Sequence, residues 1–215
     1  MFTCGGSIIK SDVVLTAAHC VTGGFNTSAS ILFAGSLHRT IPGRYYQGRE
    51  IKQVIIHEDY WGDVMPDQSH DIGLIKLTRS FDFAAGEGYI GTVCLEVMPP
   101  RPGNAVTVAG WGRTSPNGTM SYNLLAITVP VKKDRNCINF FFLSYRPETM
   151  FCAGENRKQA AEGDSGGPAV VRRARKSLQV GIVSYGSVNN PYHPVVFTKV
   201  SSHIKWIADA LKKLQ

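Results

Sequence analysis

Short apolar runs recur along the chain at close spacing, and clusters of Gly, Pro, Asn or Ser separate most of them. Many short strands with turn signals between them, and no helical period in between, are typical of an antiparallel β-sandwich or β-barrel. We therefore predict an all-β fold. The predicted strands are Ile31–Ala34, Val54–Ile56, Ile72–Leu77, Val106–Ala109, Ile127–Val131, Val180–Tyr185 and Val195–Val200.

The pattern changes at the C-terminus, where apolar residues recur at helical spacing. Ser201 or Ser202 can cap the start of such a helix, and Lys212 and Lys213 fall where the helix dipole favours cations. We therefore predict one amphipathic C-terminal α-helix packed on the β-rich body. Its apolar face consists of Ile204, Ile207, Leu211 and Leu214.

A stretch rich in Pro and Gly, Pro99–Asn104, is the strongest linker signal and divides the chain nearly in half. We predict a β-rich half at residues 1–98, a linker at 99–104 and a second β-rich half with the helix at 105–215. The two halves together are expected to form one functional domain. At 215 residues the chain is long enough to bury a substantial core.

Composition and charge narrow the class of protein. With 43% apolar and 18% charged residues, the chain is neither disordered nor a collagen or a coiled coil. No apolar run approaches the roughly 18 residues that a membrane span needs, so we expect no membrane partner. The net charge of +7 favours polyanions, but no nucleic-acid-binding motif accompanies it, so we expect no nucleic-acid partner.

The sharpest motif is Gly163–Pro168, with the sequence Gly-Asp-Ser-Gly-Gly-Pro. A serine hydroxyl is a poor nucleophile until a base takes its proton. The flanking glycines let the backbone turn tightly, so that successive N–H groups can point at a developing oxyanion. A Gly-rich turn without catalytic function is the alternative. The motif makes Ser165 a candidate nucleophile.

A base and a carboxylate are also present. The segment Thr16–Cys20 contains His19, which is a candidate base. Asp71 precedes the apolar run Ile72–Leu77, where a carboxylate is costly without a partner. Such a carboxylate can fix the tautomer of a histidine and stabilise its imidazolium. Each residue alone has a structural explanation, but their joint presence in the order His, Asp, Ser predicts a nucleophilic triad.

These motifs, in this order, resemble those of the chymotrypsin-like serine proteases over residues 2 to about 214. The resemblance implies two six-stranded antiparallel β-barrels with the active site between them, the first barrel being N-terminally truncated. It implies that His19 is the general base, Asp71 orients it and Ser165 is the nucleophile. The N–H groups of Gly163 and Ser165 would form the oxyanion hole. The segments that carry the resemblance are Cys4–Ile9, Leu15–Cys20, Asp71–Leu77, Ala109–Gly112, Gly163–Pro168 and Gly181–Gly186.

The resemblance also pairs Cys4 with Cys20 and Cys137 with Cys152. Such disulfides require an oxidising compartment, so we expect an extracellular or secretory-granule protein, although the sequence contains no signal peptide. Cys94 is left over. It is either a free buried thiol or a tether to an upstream propeptide or light chain.

One departure from the family concerns activation. Family members become active when cleavage frees an Ile or Val α-amine, which pairs with the Asp before the nucleophile, here Asp164. The chain begins after that segment and after one barrel strand, as a fragment would. We therefore expect Asp164 to be an unpaired buried carboxylate, the neighbouring loop to be misplaced and an isolated copy to be inactive.

A second departure concerns the substrate pocket. Family comparison places Gln159 at its base, where trypsin-like members carry Asp, so a Lys or Arg side chain would lose hydration without a counter-charge. Gly186 keeps the entrance open, whereas Val195 stands where an open pocket usually has Gly. We expect a shallow, mostly apolar pocket that accepts Leu, Val, Met or Ala. The predicted pocket residues are Gln159, Ser184, Tyr185, Gly186 and Val195.

The usual disulfide beside the pocket is also missing, because residue 161 is Ala and residues 186–194 contain no Cys. This loss, the segments Ser184–Gly186 and Phe197–Ser202, and the basic charge resemble the leukocyte granule branch of the family, which includes granzymes, chymase and cathepsin G. We expect the chain to fall in that branch.

A basic run is predicted at the tip of a hairpin between two strands. It is either a solvated loop or a binding site for a polyanion such as a glycosaminoglycan. A glycosaminoglycan would neutralise several of its charges at once. The basic residues are Arg172, Arg173, Arg175 and Lys176.

Nothing in the sequence has the spacing of a metal or cofactor site. The chain contains no HExxH motif, no cluster of free cysteines and no Asp/Glu-rich loop, so we expect no catalytic metal, no calcium site and no cofactor. The histidines other than His19 are expected to be structural or exposed. They are His38, His57, His70, His193 and His203.

The expected function is that of a secreted, monomeric serine endopeptidase. It would hydrolyse protein or peptide substrates through an acyl-enzyme, with an apolar residue rather than Arg or Lys at P1. The alternative is a non-catalytic serine-protease homologue that acts as a binding or decoy module. A third hypothesis, a polyanion-binding protein that uses its basic face alone, requires the triad to be idle.

Overall fold

The structure is a computed structural model that describes residues 4–62, 67–115, 118–155, 158–174, 176–187, 190 and 192–214. Within these ranges the chain forms twelve β-strands and two α-helices. The strands form two curled antiparallel sheets, and a short helix lies at the C-terminus. The predicted all-β class is therefore confirmed.

The first sheet has five strands among the described residues, in the order β1-β2-β5-β4-β3. Every neighbouring pair in it is antiparallel. All four side chains of β2 are buried, which explains why this strand is apolar without alternation. The strands are β1 (Ser7–Lys10), β2 (Val13–Thr16), β3 (Ile31–Ala34), β4 (Gln47–Ile56) and β5 (Gly73–Leu77).

The second sheet has the order β8-β7-β10-β11-β12-β9, and β6 pairs in parallel with β11. The six-stranded path closes on itself after β8, because Lys132 N–H donates to Cys152 O (2.8 Å) and Gly154 N–H donates to Pro130 O (3.2 Å). The strands are β6 (Cys94–Leu95), β7 (Ala105–Gly110), β8 (Leu125–Pro130), β9 (Met150–Ala153), β10 (Pro168–Arg173), β11 (Lys176–Gly186) and β12 (Val195–Lys199).

The chain crosses to the second sheet before it reaches the predicted linker. β6 precedes residues 99–104, yet it pairs with β11 of the second sheet. Glu96 N–H, which follows β6, also donates to Gln179 O of β11 (2.9 Å). The boundaries proposed at residues 98 and 105 stay a prediction.

The C-terminal helix α2 (Ile204–Lys213) packs on the first sheet. Its buried residues Ile207 and Ala210, with Leu214, join one core cluster with Val13 and Leu15 of β2. The predicted serine cap is wrong. Residues Val200–His203 form a 3-10 turn before the helix, and the hydroxyl of Ser202 in that turn donates to Glu148 O instead (2.6 Å).

A second helix, α1 (Asp134–Phe141), was not predicted. The disulfide Cys137–Cys152 attaches it to β9, and the Tyr145 hydroxyl donates to Asp134 at its first turn (2.5 Å). Neither helix in the described part of the chain is long and apolar enough to cross a membrane.

The two sheets share a buried core that fixes their relative position. Ile182 of β11 and Val200, from the second half of the chain, belong to the same buried cluster as Leu15 and Leu74 of the first sheet. All four side chains are completely buried. The residues that carry the predicted chemistry lie where these sheets meet.

Candidate active site

The loop that carries Ser165 is held between the two sheets by its own backbone. Gly166 N–H donates to Val183 O of β11 (2.8 Å), and Ser165 O accepts from Gly5 N–H near β1 (2.7 Å). Gly163 and Gly166 have φ values of 96° and 77°, which a residue with a Cβ rarely adopts. The glycines of the motif are thus required by the sharp turn at Ser165.

His19 lies in a 3-10 turn, Ala18–Cys20, that follows β2. Its Nδ1 donates to Asp71 Oδ2 (2.7 Å), and its backbone N–H donates to Asp71 Oδ1 (2.9 Å). The disulfide Cys4–Cys20 anchors the next residue. In the neutral ring, with the proton on Nδ1 held by a carboxylate, Nε2 is unprotonated and is the nitrogen that can act as a base.

Asp71 is completely buried, and groups from both sheets hold it. Ser184 Oγ on β11 donates to Asp71 Oδ2 (2.6 Å), and Thr198 Oγ1 on β12 donates to the backbone carbonyl of Asp71 (2.7 Å). The sequence indicated Ser184 only as a pocket residue and gave no sign of Thr198. The carboxylate therefore accepts three hydrogen bonds, which offset the cost of burying its charge.

The Ser165 loop and the His19 turn are in direct contact. An added Cβ at Gly166 would lie 3.2 Å from Cys20 Sγ, next to His19. Thr16 Oγ1, at the end of β2, donates to Gly5 O (2.9 Å), and Gly5 in turn donates to Ser165. The fold thus brings together the segments that carry Ser165, His19 and Asp71.

Two backbone N–H groups beside Ser165 are available to a ligand. Among the described residues, neither the Gly163 N–H nor the Ser165 N–H donates a hydrogen bond. The intervening N–H of Asp164 is used, because it donates to Ala161 O (2.9 Å). This arrangement leaves two donors near the hydroxyl of Ser165, where an oxyanion hole would require them.

Asp164 is held by backbone donors rather than left without partners. Its Oδ1 accepts from Gly112 N–H (2.8 Å) and its Oδ2 from Ala161 N–H (2.9 Å). Burial raises the pKa of Asp164 above its ordinary value, and these two donors oppose the rise. These donors carry no net charge, so the expectation that Asp164 lacks a charged partner stays a prediction, and the donor from the Ala109–Gly112 segment is one that the sequence did not reveal.

A cavity of about 280 Å³ opens beside Ser165. The five predicted pocket residues line it together with Ser165: Gln159, Ser184, Tyr185, Gly186 and Val195. Val195 is buried and paired with Gly186, and an added Cβ at Gly186 would lie 3.0 Å from Val195 Cγ2. Gln159 Oε1 is buried and has no hydrogen-bond partner among the residues that the structure describes.

The cavity wall also includes an ion pair. Arg113 and Glu162 both line it, and Arg113 Nε lies 2.8 Å from Glu162 Oε2. Because the guanidinium is planar and faces the carboxylate, the charge of Glu162 is already compensated. Glu162 is the only carboxylate among the described residues that line the cavity.

The remaining predicted sites lie away from the cavity. Cys94 is exposed and forms no disulfide, so the hypothesis of a buried thiol is wrong. Arg172, Arg173 and Lys176 are exposed at the β10–β11 hairpin, and Arg175 lies outside the described residues. Arg173 lies 3.1 Å from Glu96, so part of the charge of this hairpin is compensated.

Comparisons with known proteins agree with this arrangement. The family model described as Trypsin matches residues 1–207. Cathepsin G of Mus musculus is 35% identical over 214 residues, which cover 98% of this chain and 75% of that protein. Trypsin-1 of Astacus astacus is 32% identical over 209 residues, which cover 95% and 86%.

Solved structures are also similar. One is titled neuropsin, a serine protease expressed in the limbic system of mouse brain. It has 28% sequence identity and a TM-score of 0.83, and the match covers 97% of this chain and 88% of that chain. Two curled antiparallel sheets with a His–Asp pair and a Gly-flanked Ser between them define the class of chymotrypsin-like serine proteases.

The chain belongs to the trypsin family, and it is a serine endopeptidase. The two disulfides, Cys4–Cys20 and Cys137–Cys152, are those that the family resemblance implies. Cathepsin G of the predicted granule branch is among the relatives. Because trypsin-1 is also among them, the branch stays a prediction.

Proposed function

We propose that Ser165 is the nucleophile, His19 the general base and Asp71 the residue that orients His19. Ser165 Oγ attacks the peptide carbonyl while His19 Nε2 takes its proton, and His19 then gives that proton to the leaving amine. Water, activated by His19, hydrolyses the acyl-enzyme. The observation that carries this proposal is the 2.7 Å hydrogen bond between His19 Nδ1 and the fully buried Asp71, beside the Ser165 loop.

Each tetrahedral intermediate places a negative charge on the former carbonyl oxygen. The N–H groups of Gly163 and Ser165 are proposed to bind that oxygen, and their lack of other acceptors among the described residues supports this role. Asp164 is proposed to hold the loop that carries them, and the amine released on activation is its proposed partner. Its hydrogen bonds to Gly112 and Ala161 support that function, because they fix the carboxylate next to Gly163.

The substrate pocket is proposed to accept a small or medium apolar P1 side chain. Val195 fills space opposite Gly186, which supports a shallow pocket. A Lys or Arg side chain would lose hydration there without a carboxylate to pair with, since Gln159 is neutral and Glu162 is paired. Gln159 Oε1 can accept one hydrogen bond, so a P1 side chain with a neutral donor at its end is the second expected class.

We also propose that the protein acts outside the cell or in a secretory granule as a monomer. Two disulfides support an oxidising compartment. The exposed thiol of Cys94 is a proposed attachment point for a propeptide or light chain. The exposed hairpin residues Arg172 and Lys176 are a proposed contact for a glycosaminoglycan. Elution of the protein from a heparin column below about 0.3 M salt would contradict the last proposal.

The catalytic proposal is tested with a fluorophosphonate probe, which labels an activated serine hydroxyl. In the full-length protein after its activating cleavage we expect one label per chain, lost in Ser165→Ala and in His19→Ala. Ser187→Ala is the matched control, because Ser187 lines the same cavity and should leave labelling intact. Labelling of Ser165→Ala, or no labelling of the wild-type protein, would contradict the assignment and favour a non-catalytic binding protein.

The pocket proposal is tested with chromogenic peptides that differ only at P1. Leu, Val, Met and Ala should give the highest kcat/KM, and Arg and Lys the lowest. The variant Gln159→Asp supplies the missing charge and should raise kcat/KM for Arg relative to Leu. Fast cleavage by the wild-type enzyme after Arg alone would refute the proposed specificity.

A further inference from the structure

Three histidines from separate elements lie close together, and none of them is among the described residues that line the substrate cavity. His57 follows β4, His70 directly precedes Asp71, and His203 directly precedes α2. One ring nitrogen of each lies within 4.8 Å of the others, and His57 and His203 are buried. This histidine cluster takes no part in the proposed catalytic mechanism.

The closest pair in the cluster already has the separation that a shared metal ion requires. His70 Nδ1 lies 3.1 Å from His203 Nε2. Two imidazole nitrogens bound to one tetrahedral zinc ion lie about 3.3 Å apart, since each Zn–N bond is about 2.0–2.1 Å long. This contact is a hydrogen bond, so one of the two nitrogens carries a proton that a bound metal ion would displace.

The hydrogen bonds around His203 determine which of its nitrogens carries the proton. Its Nδ1 lies 2.8 Å from Lys199 O, and since a carbonyl can only accept, Nδ1 carries the proton. Nε2 therefore presents a lone pair to His70. A backbone carbonyl behind a histidine in this way is the usual arrangement around protein metal ions, because it fixes the tautomer and makes the ligand nitrogen more basic.

His57 is the ligand that must move. Its ring is stacked on His70 at 4.4 Å and meets His203 edge-on at 88°. Its Nδ1 accepts from Asp59 N–H (3.1 Å), a bond that a ring rotation would break. Asp59 is exposed, so water can replace the lost acceptor at little cost.

A depression of about 520 Å³ reaches His70, one member of the cluster. It is lined by Asp59, Trp61, Asp67, Ser69 and His70. Two of these residues are carboxylates, which attract cations, although Asp67 is also paired with Arg146 at 3.1 Å. The depression therefore gives a cation a path to the His70 side of the cluster.

We propose that His57, His70 and His203 form a binding site for a divalent transition-metal ion, with zinc as the best match. Imidazole nitrogens favour zinc, copper, nickel and cobalt over magnesium or calcium, which prefer oxygen ligands. Bound metal would tie together the end of β4, the turn before Asp71 and the start of α2. Because such a site exists only in the folded protein, the metal should stabilise the fold.

The proposal is tested by titrating Zn²⁺ against a chelating dye in a Cys94→Ser background, which removes the exposed thiol as a competing ligand. We expect one high-affinity site and an increase in Tm of roughly 5 °C at a zinc concentration a hundredfold above Kd. His70→Asn should weaken binding at least tenfold. Asn tolerates the φ of 58° at this position, so the variant should fold.

Two matched controls locate the site. His193→Asn removes a histidine outside the cluster, and His19→Ala removes the proposed catalytic base; both should bind Zn²⁺ as the parent does. If His19→Ala alone weakened binding, the metal would be at the active site and the proposal would be wrong. This result would leave the proposed catalytic function intact.

The ligands themselves are identified with Co²⁺, whose visible absorption reports tetrahedral coordination. The parent should show intense d–d bands that disappear in His70→Asn and in His203→Gln. If His203→Gln does not fold, His70→Asn alone decides the question. Equal binding by the parent and His70→Asn, or no binding by the parent at micromolar metal, would overturn the proposal.

Discussion

The substitution Gly112→Ala should misplace the Ser165 loop without touching a proposed catalytic residue. A Cβ on Gly112 would lie 2.5 Å from Cγ of Asp164 and 2.5 Å and 2.6 Å from its two carboxylate oxygens. Carbon–carbon contacts are favourable only from about 3.5 Å, so the carboxylate must move by about 1 Å. Gly112 does not have a positive φ, so the clash is the only expected strain.

This displacement stretches the hydrogen bonds from Gly112 (2.8 Å) and Ala161 (2.9 Å) to Asp164. Hydrogen bonds to a charged group each contribute about 1.5–3 kcal/mol, and water reaching the partly exposed carboxylate recovers part of this. We expect the free energy of unfolding in urea to fall by about 2–4 kcal/mol. Since Asp164 lies between Gly163 and Ser165, kcat/KM should fall about a hundredfold, the usual cost of losing one oxyanion donor.

Two comparisons would refute this reasoning. Gly91→Ala is the control, because its Cβ would meet nothing within 4 Å, and it should leave both stability and kcat/KM unchanged. In an Asp164→Ala background the clash is gone, so Gly112→Ala should then cost less than about 0.5 kcal/mol. If Gly112→Ala resembles Gly91→Ala, or costs the same in both backgrounds, contact with the carboxylate is not the cause.

Three further predictions concern stability. Because burial raises the pKa of Asp164, the folded protein binds the carboxyl proton more tightly than the unfolded protein does. The free energy of unfolding in urea should therefore fall as the pH rises through the folded-state pKa of Asp164. The variant Asp164→Asn should lack this part of the pH dependence. Removing the Cys137–Cys152 disulfide by a double Cys→Ser substitution should lower the free energy of unfolding by about 3 kcal/mol in the same assay. Gly181→Ala would place a Cβ 2.6 Å from two ring carbons of Phe151, so Tm in calorimetry should fall by about 5 °C or more.

Local motifs made the chemistry predictable from the sequence, because each proposed catalytic residue lies in its own short, distinctive segment. The sequence could not show which groups hold these residues. Ser184 and Thr198 contact Asp71 across separations of 113 and 127 residues, and no spacing rule links such positions. The histidine cluster was missed for the same reason, since His70 and His203 are 133 residues apart.

Helix α1 was missed for a different reason. Its eight residues include Asn, Cys and Phe, which are mediocre helix formers, and a helix this short is not stable by itself. Tertiary contacts supply the stability: the disulfide from Cys137 to β9 and the hydrogen bond from the Tyr145 hydroxyl to Asp134. Cys137, Ile138 and Phe141 do recur at helical spacing, but two turns are too short for this pattern to distinguish a helix from a strand.

Asp71 connects the catalytic geometry to the packing of the two sheets. Its carboxylate accepts hydrogen bonds from His19, which follows β2 of the first sheet, and from Ser184 on β11 of the second. Its backbone carbonyl accepts from Thr198 on β12. A shift of one sheet against the other would break bonds to a fully buried charge, each contributing about 1.5–3 kcal/mol.

The same buried charge therefore orients the base and opposes sliding of the sheets. The nucleophile depends on this second effect, because the Ser165 loop is bonded both to β11 through Gly166 and to the first sheet through Gly5. The hydrogen bonds at Asp71 oppose sheet movements that would alter those two attachments, and with them the separation of Ser165 from His19. Proton transfer requires sub-ångström positioning of the reacting groups. A triad placed on two sheets is compatible with this requirement, because the buried carboxylate of Asp71 is hydrogen-bonded to both sheets and opposes their relative movement.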